Sequence, residues 1–351
     1  MIELLKKYKK WIIVFSFVYF YMFFMFVAQS GYSAITPGEV SKTNNIYDIE
    51  GKSFNNNINT VSVYSWQKIT IFQKWLIENN PNYYVFLENN YEKTLTFSEI
   101  YQQGQISHQS SINNALIAAY EMANKKDKTI NIDYDLEGLT VYATGEKNLK
   151  IGDLVTKIEG DELLSKDDFN VVLSKYKKIL PDATKNHVSV FRAENDLKLK
   201  IIRSGTSQDI TIKDGYAFQF FPKYKIKSTT PNLLNIKMRE DVGGPSGGMI
   251  QAFTIYAALL NFNSKNIKIA GTGTIETDDT YSVGRIGGIR QKFITVVNEK
   301  VDVFVIPESH YDEIKDLINK NSHIKIITVK NFKELTEKME QFGQFEENNN
   351  G

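Results

Sequence analysis

Residues 11–28, WIIVFSFVYFYMFFMFVA, run for 18 positions without a charged side chain. No other stretch restricts the chain as strongly. A helix made of these residues has no polar face to turn to water, and about 17–20 apolar residues suffice to cross a bilayer. Four lysines, Lys6, Lys7, Lys9 and Lys10, precede the run, and the first positive charge after it is Lys42. By the positive-inside rule this asymmetry puts residues 1–10 in the cytoplasm and the chain beyond residue 28 outside it. The competing reading is a long signal peptide cut near Ala28 or Ala34, where VAQS and YSA supply small residues.

Composition narrows the chemistry. The net charge of +1 leaves no global basic surface for nucleic acid. With no cysteine, disulfides, a thiolate nucleophile and Cys-ligated zinc are all excluded. The length of 351 residues allows two or three domains.

Past the apolar run, residues 29–129 mix Asn- and Lys-rich loop with strand-like TVSVYS and a mixed helix-like spacing over WQKITIFQKWLIENN (66–80). SSINNALIAAYEMANKK (110–126) predicts a helix capped by Ser110 or Ser111. From 130 to 205 the pattern is β-rich. GLTVYA and DLVTKIEG read as strands, LSKDDFNVVLSKYKKIL as a helix capped by Ser165, and HVSVFRAENDLKLKIIR as a hairpin. From 206 to 340 strands and helices alternate, which predicts an α/β unit. Residues 341–351, ending in EENNNG, read as a disordered tail. The whole chain is therefore expected to be α+β. The strands of 35–128 are a candidate for completing the last unit's sheet, with 130–205 as an insertion.

The segment DVGGPSGGMIQAF (241–253) surrounds Ser246 with Gly243, Gly244, Pro245, Gly247 and Gly248 just before a helix. A helix start offers unpaired N–H groups and the positive end of the dipole, the setting an acyl-transfer oxyanion needs. A serine there still needs a base. The histidines, His108, His187, His310 and His323, fall in no catalytic pattern and read as surface or loop residues. Lys292 flanks the apolar face Ile289, Phe293, Val296 and Val297 of a helix opened by Gly287–Gly288. Burial and the helix dipole both lower a lysine's pKa toward that of a working base. Asp278 and Asp279 read as a solvated hairpin turn rather than a metal site.

Three segments occur in order: Gly244–Met249 (GPSGGM), Ile269–Ile275 (IAGTGTI) and Val283–Lys292 (VGRIGGIRQK). Together they resemble the proteolytic domain of Lon-type serine peptidases. The run Leu149–Val155 (LKIGDLV) with Ile158-Glu159-Gly160 resembles the heart of a bacterial PDZ domain; Ser165 and Asp168-Phe169 fit its helix start, and Leu136-Glu137-Gly138-Leu139 would be its carboxylate loop. With one N-terminal span, the chain is similar to membrane-anchored, PDZ-containing Lon-like peptidases. The resemblance implies Ser246 as nucleophile, Lys292 as general base and Thr272 as a supporting hydrogen-bonder, with the backbone of Gly244, Pro245 and Gly247 around the oxyanion. It implies protein or peptide substrates, recognised by the PDZ-like block, and neither cofactor nor metal. Lon-type domains often form rings, so an oligomer is open. Gly247 stands where the family usually has alanine. No G-x-x-x-x-G-K-[ST] occurs, so no ATPase is expected. The alternative is a peptide-binding membrane adaptor whose protease fold has lost activity.

Overall fold

The computed structural model describes residues 2–43, 47–48, 57–163, 189–192, 195–231, 233, 235–236, 241–264 and 267–345. The helices are α1 (Ile2–Val27), α2 (Ile71–Ile77), α3 (Asn90–Thr94), α4 (Phe97–Lys126), α5 (Gly248–Leu259), α6 (Ile289–Asn298), α7 (Tyr311–Lys320) and α8 (Phe332–Met339). The strands longer than two residues are β1 (Gln29–Lys42), β2 (Ile58–Thr70), β3 (Tyr84–Leu87), β4 (Tyr134–Thr144), β5 (Leu154–Ile158) and β6 (Ser189–Arg192). They continue with β7 (Leu197–Arg203), β8 (Thr206–Ile212), β9 (Ala217–Ile226), β10 (Ile269–Gly271), β11 (Val303–Pro307) and β12 (Lys325–Val329).

Helix α1 carries the apolar run. Its segment Lys7–Val27 is long and apolar enough to cross a membrane, and none of it is buried in the protein.

Two sheets organise the rest. The first has the order β12-β11-β10-β2-β1-β3. Strands β10, β11 and β12 run parallel, and β10 also pairs in parallel with β2 through Ile269↔Ile58 and Gly271↔Thr60. The ribbon β1/β2 and the edge strand β3 are antiparallel. Strands β1, β2 and β3 of the N-terminal half thus share one sheet with β10, β11 and β12. Every residue of β11 (VFVIP) is buried, as expected of a parallel strand covered on both faces. On one face α4, α5 and α8 pack through Leu116, Tyr120, Phe253, Tyr256 and Phe332. On the other, α6 and α7 pack through Phe293, Val296, Phe304, Ile306 and Ile314.

The second sheet has the order β8-β7-β5-β4-β9-β6, around a core of Leu139, Val141, Val155, Leu199, Ile201 and Phe220. It does not stop at residue 205. The hairpin β7/β8 turns at Ser204-Gly205, both at positive φ (49° and 79°), and β8 and β9 carry the sheet on to Ile226. Two positive-φ residues give the tight turn whose twist matches paired strands. The expected hairpin of 187–203 is likewise corrected, because β6 pairs with β9 rather than with β7. Leu136–Leu139 is not a loop but part of β4, paired with β9. Asp153 of the LKIGDLV run is buried and fixes its turn, accepting from the Lys150 N–H (2.7 Å) and from Arg203 Nε (2.7 Å) and Nη2 (2.6 Å). The helix expected from Ser165 lies outside the described residues.

Further corrections follow from local signals. Trp66 and Ile69 belong to β2, and helix begins only at Ile71, after a capping box of Thr70 and Gln73. Helix α4 starts at the Thr96–Glu99 capping box, so Ser110 and Ser111 lie buried in mid-helix rather than at a cap. Within the expected tail, Gln344–Phe345 pairs with Phe262–Asn263, and 346–351 lie outside the described residues.

Candidate active site

The glycine segment is held by α4, about 45 Å long at 1.5 Å per residue. The Gly244 N–H donates to the Gly104 carbonyl (2.9 Å), and Ser111 Oγ donates to the Pro245 carbonyl (3.0 Å). Gly244 sits at φ +86°, open to glycine at little cost. At Gly248 a Cβ would fall 2.6 Å from Ser111 Oγ and 3.1 Å from Ile275 Cγ2, so the start of α5 can nest only without a side chain. Four glycines in six residues thus let the chain turn against α4 and start a buried helix at once.

Ser246 lies just before α5. Its carbonyl accepts from the Gly273 N–H (2.8 Å) and from Thr272 Oγ1 (2.9 Å), so the loop after β10 fixes its backbone. Thr272 is itself tied to β11 by its N–H to the Val305 carbonyl (3.0 Å). Lys292 stands in the second turn of α6, behind Gly288 at φ +68°. Ile289, Phe293 and Val296 share its face, and Lys292 is only 1% exposed. Its Nζ donates to Ser246 Oγ at 2.8 Å and to Thr272 Oγ1 at 2.8 Å. Burial alone lowers its pKa to about 7, since no carboxylate counters the desolvation. A free amine there keeps an N–H on Thr272 and turns its lone pair toward the Ser246 hydroxyl.

Ser246, Thr272 and Lys292 are therefore brought together. Of the backbone trio Gly244, Pro245 and Gly247, Gly247 alone keeps an N–H without a partner among the described residues. Gly244 has already given its N–H to Gly104, and Pro245 has none to give. Among the described residues the N–H groups of Ser246 and Gly247, at the start of α5, remain unpaired. The surface reading of the histidines also fails for two. His108, on α4 beside the Gly244 backbone, is 3% exposed, and burial lowers its pKa. His310 is 1% exposed, and burial lowers its pKa too. His323 is exposed, and His187 lies outside the described residues. Asp278 caps its own turn, accepting from the N–H groups of Thr280 (3.0 Å) and Ser282 (2.9 Å).

A cleft of about 180 Å³ opens beside Ser246, lined by Thr60, Tyr64, His108, Gly243 and Gln251 among others. A groove of about 830 Å³ shares Val63, Tyr64 and the 241–244 backbone with it and extends past Trp66 and Tyr101. Residues 232–341 match the Lon protease (S16) C-terminal proteolytic domain. The Lon-type domain is that of a serine peptidase, and its matched span contains Ser246, Thr272 and Lys292. No curated protein matches the chain.

Sequence reasoning missed the residues that support the Lon-type site from outside the match: Gly104, Ser111 and Thr60. Gly104, a glycine inside a helix, carried the one visible signal, since a glycine there costs about 1 kcal/mol against alanine and points to a packing reason. Gln251 was also missed. It is 3% exposed and lines the cleft one turn along α5, and its Oε1 has no partner among the described residues.

Proposed function

We propose that the chain is a single-pass membrane serine endopeptidase that cuts proteins without ATP, using a Ser246–Lys292 dyad. The observation that carries this reading is the 2.8 Å approach of a fully buried Lys292 Nζ to Ser246 Oγ. The neutral amine takes the Ser246 hydroxyl proton as Oγ attacks a peptide carbonyl carbon. The resulting oxyanion sits on the N–H groups of Ser246 and Gly247 at the helix start. The Lys292 ammonium then gives its proton to the leaving amine. Neutral Lys292 then deprotonates a water that attacks the acyl-enzyme carbonyl carbon; the ester bond to Ser246 Oγ breaks, the acid leaves and the Lys292 ammonium returns its proton to Oγ. Thr272 keeps both partners aimed. The α1 helix anchors the enzyme, with the lysines before it in the cytoplasm and the catalytic domain outside. The PDZ-like block, with its LKIGDLV run, receives the substrate's tail.

The test is casein cleavage by the full chain in detergent, compared with Ser246→Ala and Lys292→Ala. Cleavage by wild type and none by either folded variant supports the dyad. Equal cleavage by all three assigns the activity to a contaminant. No cleavage by wild type, with casein-derived peptides still bound, favours the inactive adaptor.

A further inference from the structure

The apolar face of α1 does not end with the helix. The Ile71 N–H donates to the Ala28 carbonyl (3.0 Å), and the Phe26 and Phe72 rings stand 4.3 Å apart between centroids. Helix α2, IFQKWLI, therefore leaves the protein at the level where α1 ends. Five of its seven residues are apolar, yet none is buried, and Trp75 and Leu76 are 61% and 56% exposed. Nearby, Leu87 at the sheet edge is 60% exposed. Tryptophan and tyrosine favour the membrane–water boundary, and a short apolar face continuous with a spanning helix fits the same place.

Strand β2 connects this level to the site. It begins beside β10 at Ile58 and ends at Thr70, against the end of α1. Thr60 is next to the nucleophile, its Oγ1 lying 3.2 Å from where a Cβ on Gly247 would be. The ten steps from Thr70 to Thr60 span at most about 33 Å at the rise of a strand. The groove beside residues 63–67 shares Val63 and Tyr64 with the cleft beside 60–64, so together they follow β2 from Gln67, three residues short of its α2 end, toward Ser246. Tyr64, Trp66 and Tyr101 line the groove, each about half exposed.

We infer that the substrate is a polypeptide anchored in the same membrane, whose extended juxtamembrane segment lies in the groove along β2 and is cut about ten residues from the bilayer. Helix α2 rests on the lipid surface and sets that height. This rests on the reading of α1 as an anchor and of Ser246 as the nucleophile. The ruler works the same on either face of the membrane.

The test uses the full chain in phosphatidylcholine/phosphatidylglycerol nanodiscs. Each disc also holds a single-span reporter whose flexible tail repeats a casein-derived peptide, and the cuts are mapped by mass spectrometry. The expected result is cutting that begins about ten residues from the reporter's span and is absent from the first six. A five-residue spacer should leave that distance unchanged while moving the cuts to new sequence. The tethered tail should be cut at least about tenfold faster than the same tail free in solution, through its higher effective concentration. Trp75→Glu/Leu76→Glu should blur the spacing and leave casein cleavage in detergent unchanged. Cuts spread evenly along the tail, a tethered tail cut no faster than a free one, or an unchanged spacing in the α2 variant would overturn the inference. If casein is still cut in a Ser246-dependent way, the peptidase reading survives that result. If neither casein nor the tail is cut, both fall.

Discussion

His310 Nε2 accepts a hydrogen bond from the Ile286 backbone N–H at 2.8 Å. Its Nδ1 faces Glu313 Oε1 at 3.0 Å, and Arg285 also donates to that carboxylate. Nε2 can accept only in the neutral ring, so the proton sits on Nδ1. Ile286 belongs to the loop that leads through Gly288 into α6, and so into Lys292. Burial holds the His310 pKa below the usual value; Glu313 opposes this, while the charges of Arg285 and Lys292 add to it. Protonation would turn Nε2 into a donor facing a donor and loosen the loop. Log kcat/KM should therefore fall with a slope of one as Lys292 takes its proton near pH 7 and steepen toward two at lower pH. His310→Gln, which keeps an acceptor without titrating, should retain the first limb and lose the second. The same steep limb in that variant would remove His310 from the loop's control.

Burial makes Lys292 a stability cost. The folded chain holds its pKa at about 7, whereas an unfolded lysine titrates near 10.4. Between those values the unfolded state binds more protons, so stability rises with pH across that window and carries the full penalty below it. Lys292→Met should abolish turnover, flatten this dependence and raise the neutral-pH Tm by a few degrees. Denaturant titrations at pH 7 and pH 9.5 check it. An identical pH dependence in both proteins would mean that Lys292 is not desolvated.

Thr272 Oγ1 links Lys292 and Ser246, accepting from Lys292 Nζ and donating to the Ser246 carbonyl. Valine keeps the shape and removes both bonds inside a buried site, a loss of about 1–3 kcal/mol. Thr272→Val should lower kcat by roughly 10–100-fold with little change in KM, and Thr272→Ser should recover most of it. A KM effect alone would place Thr272 in substrate binding.

Legibility followed the range of the interactions. Glycines around Ser246 and the apolar face beside Lys292 are local patterns, and both could be read from short windows. The links Ser111 to Pro245 and Gly104 to Gly244 join residues more than 130 positions apart, and nothing in either window announces its partner. Strand pairing was obscured for the same reason. HVSVFR and DLKLKIIR look like two arms of a hairpin because they are adjacent, but β6 finds its partner in β9, beyond the β7/β8 turn. His310 was misjudged because a single buried histidine and a surface one look alike until Ile286 and Glu313 are packed against it.

Gly247 and Gly248 look interchangeable in the sequence and are not. Gly247 has φ −91° and ψ −10°, which alanine adopts readily. A Cβ there would lie 3.0 Å from Gln251 Nε2 and 3.2 Å from Thr60 Oγ1, and a flexible amide end can retreat by a few tenths of an ångström. Gly247→Ala should keep kcat/KM within about threefold and change stability by less than about 1 kcal/mol, the lost backbone freedom of the unfolded chain offsetting the contact. At Gly248 the added methyl would meet Ser111 Oγ at 2.6 Å, and moving Ser111 breaks its bond to the Pro245 carbonyl. Ile275 blocks the other side, with its backbone N 3.3 Å away. Gly248→Ala should therefore cost about 1–3 kcal/mol through overpacking and lower activity by shifting Ser246 away from Lys292. Ser111→Ala/Gly248→Ala should regain part of the stability by making room, but not the activity, since the Pro245 carbonyl stays unheld. Equal tolerance of alanine at 247 and 248 would show that α4 does not hold Ser246 in place.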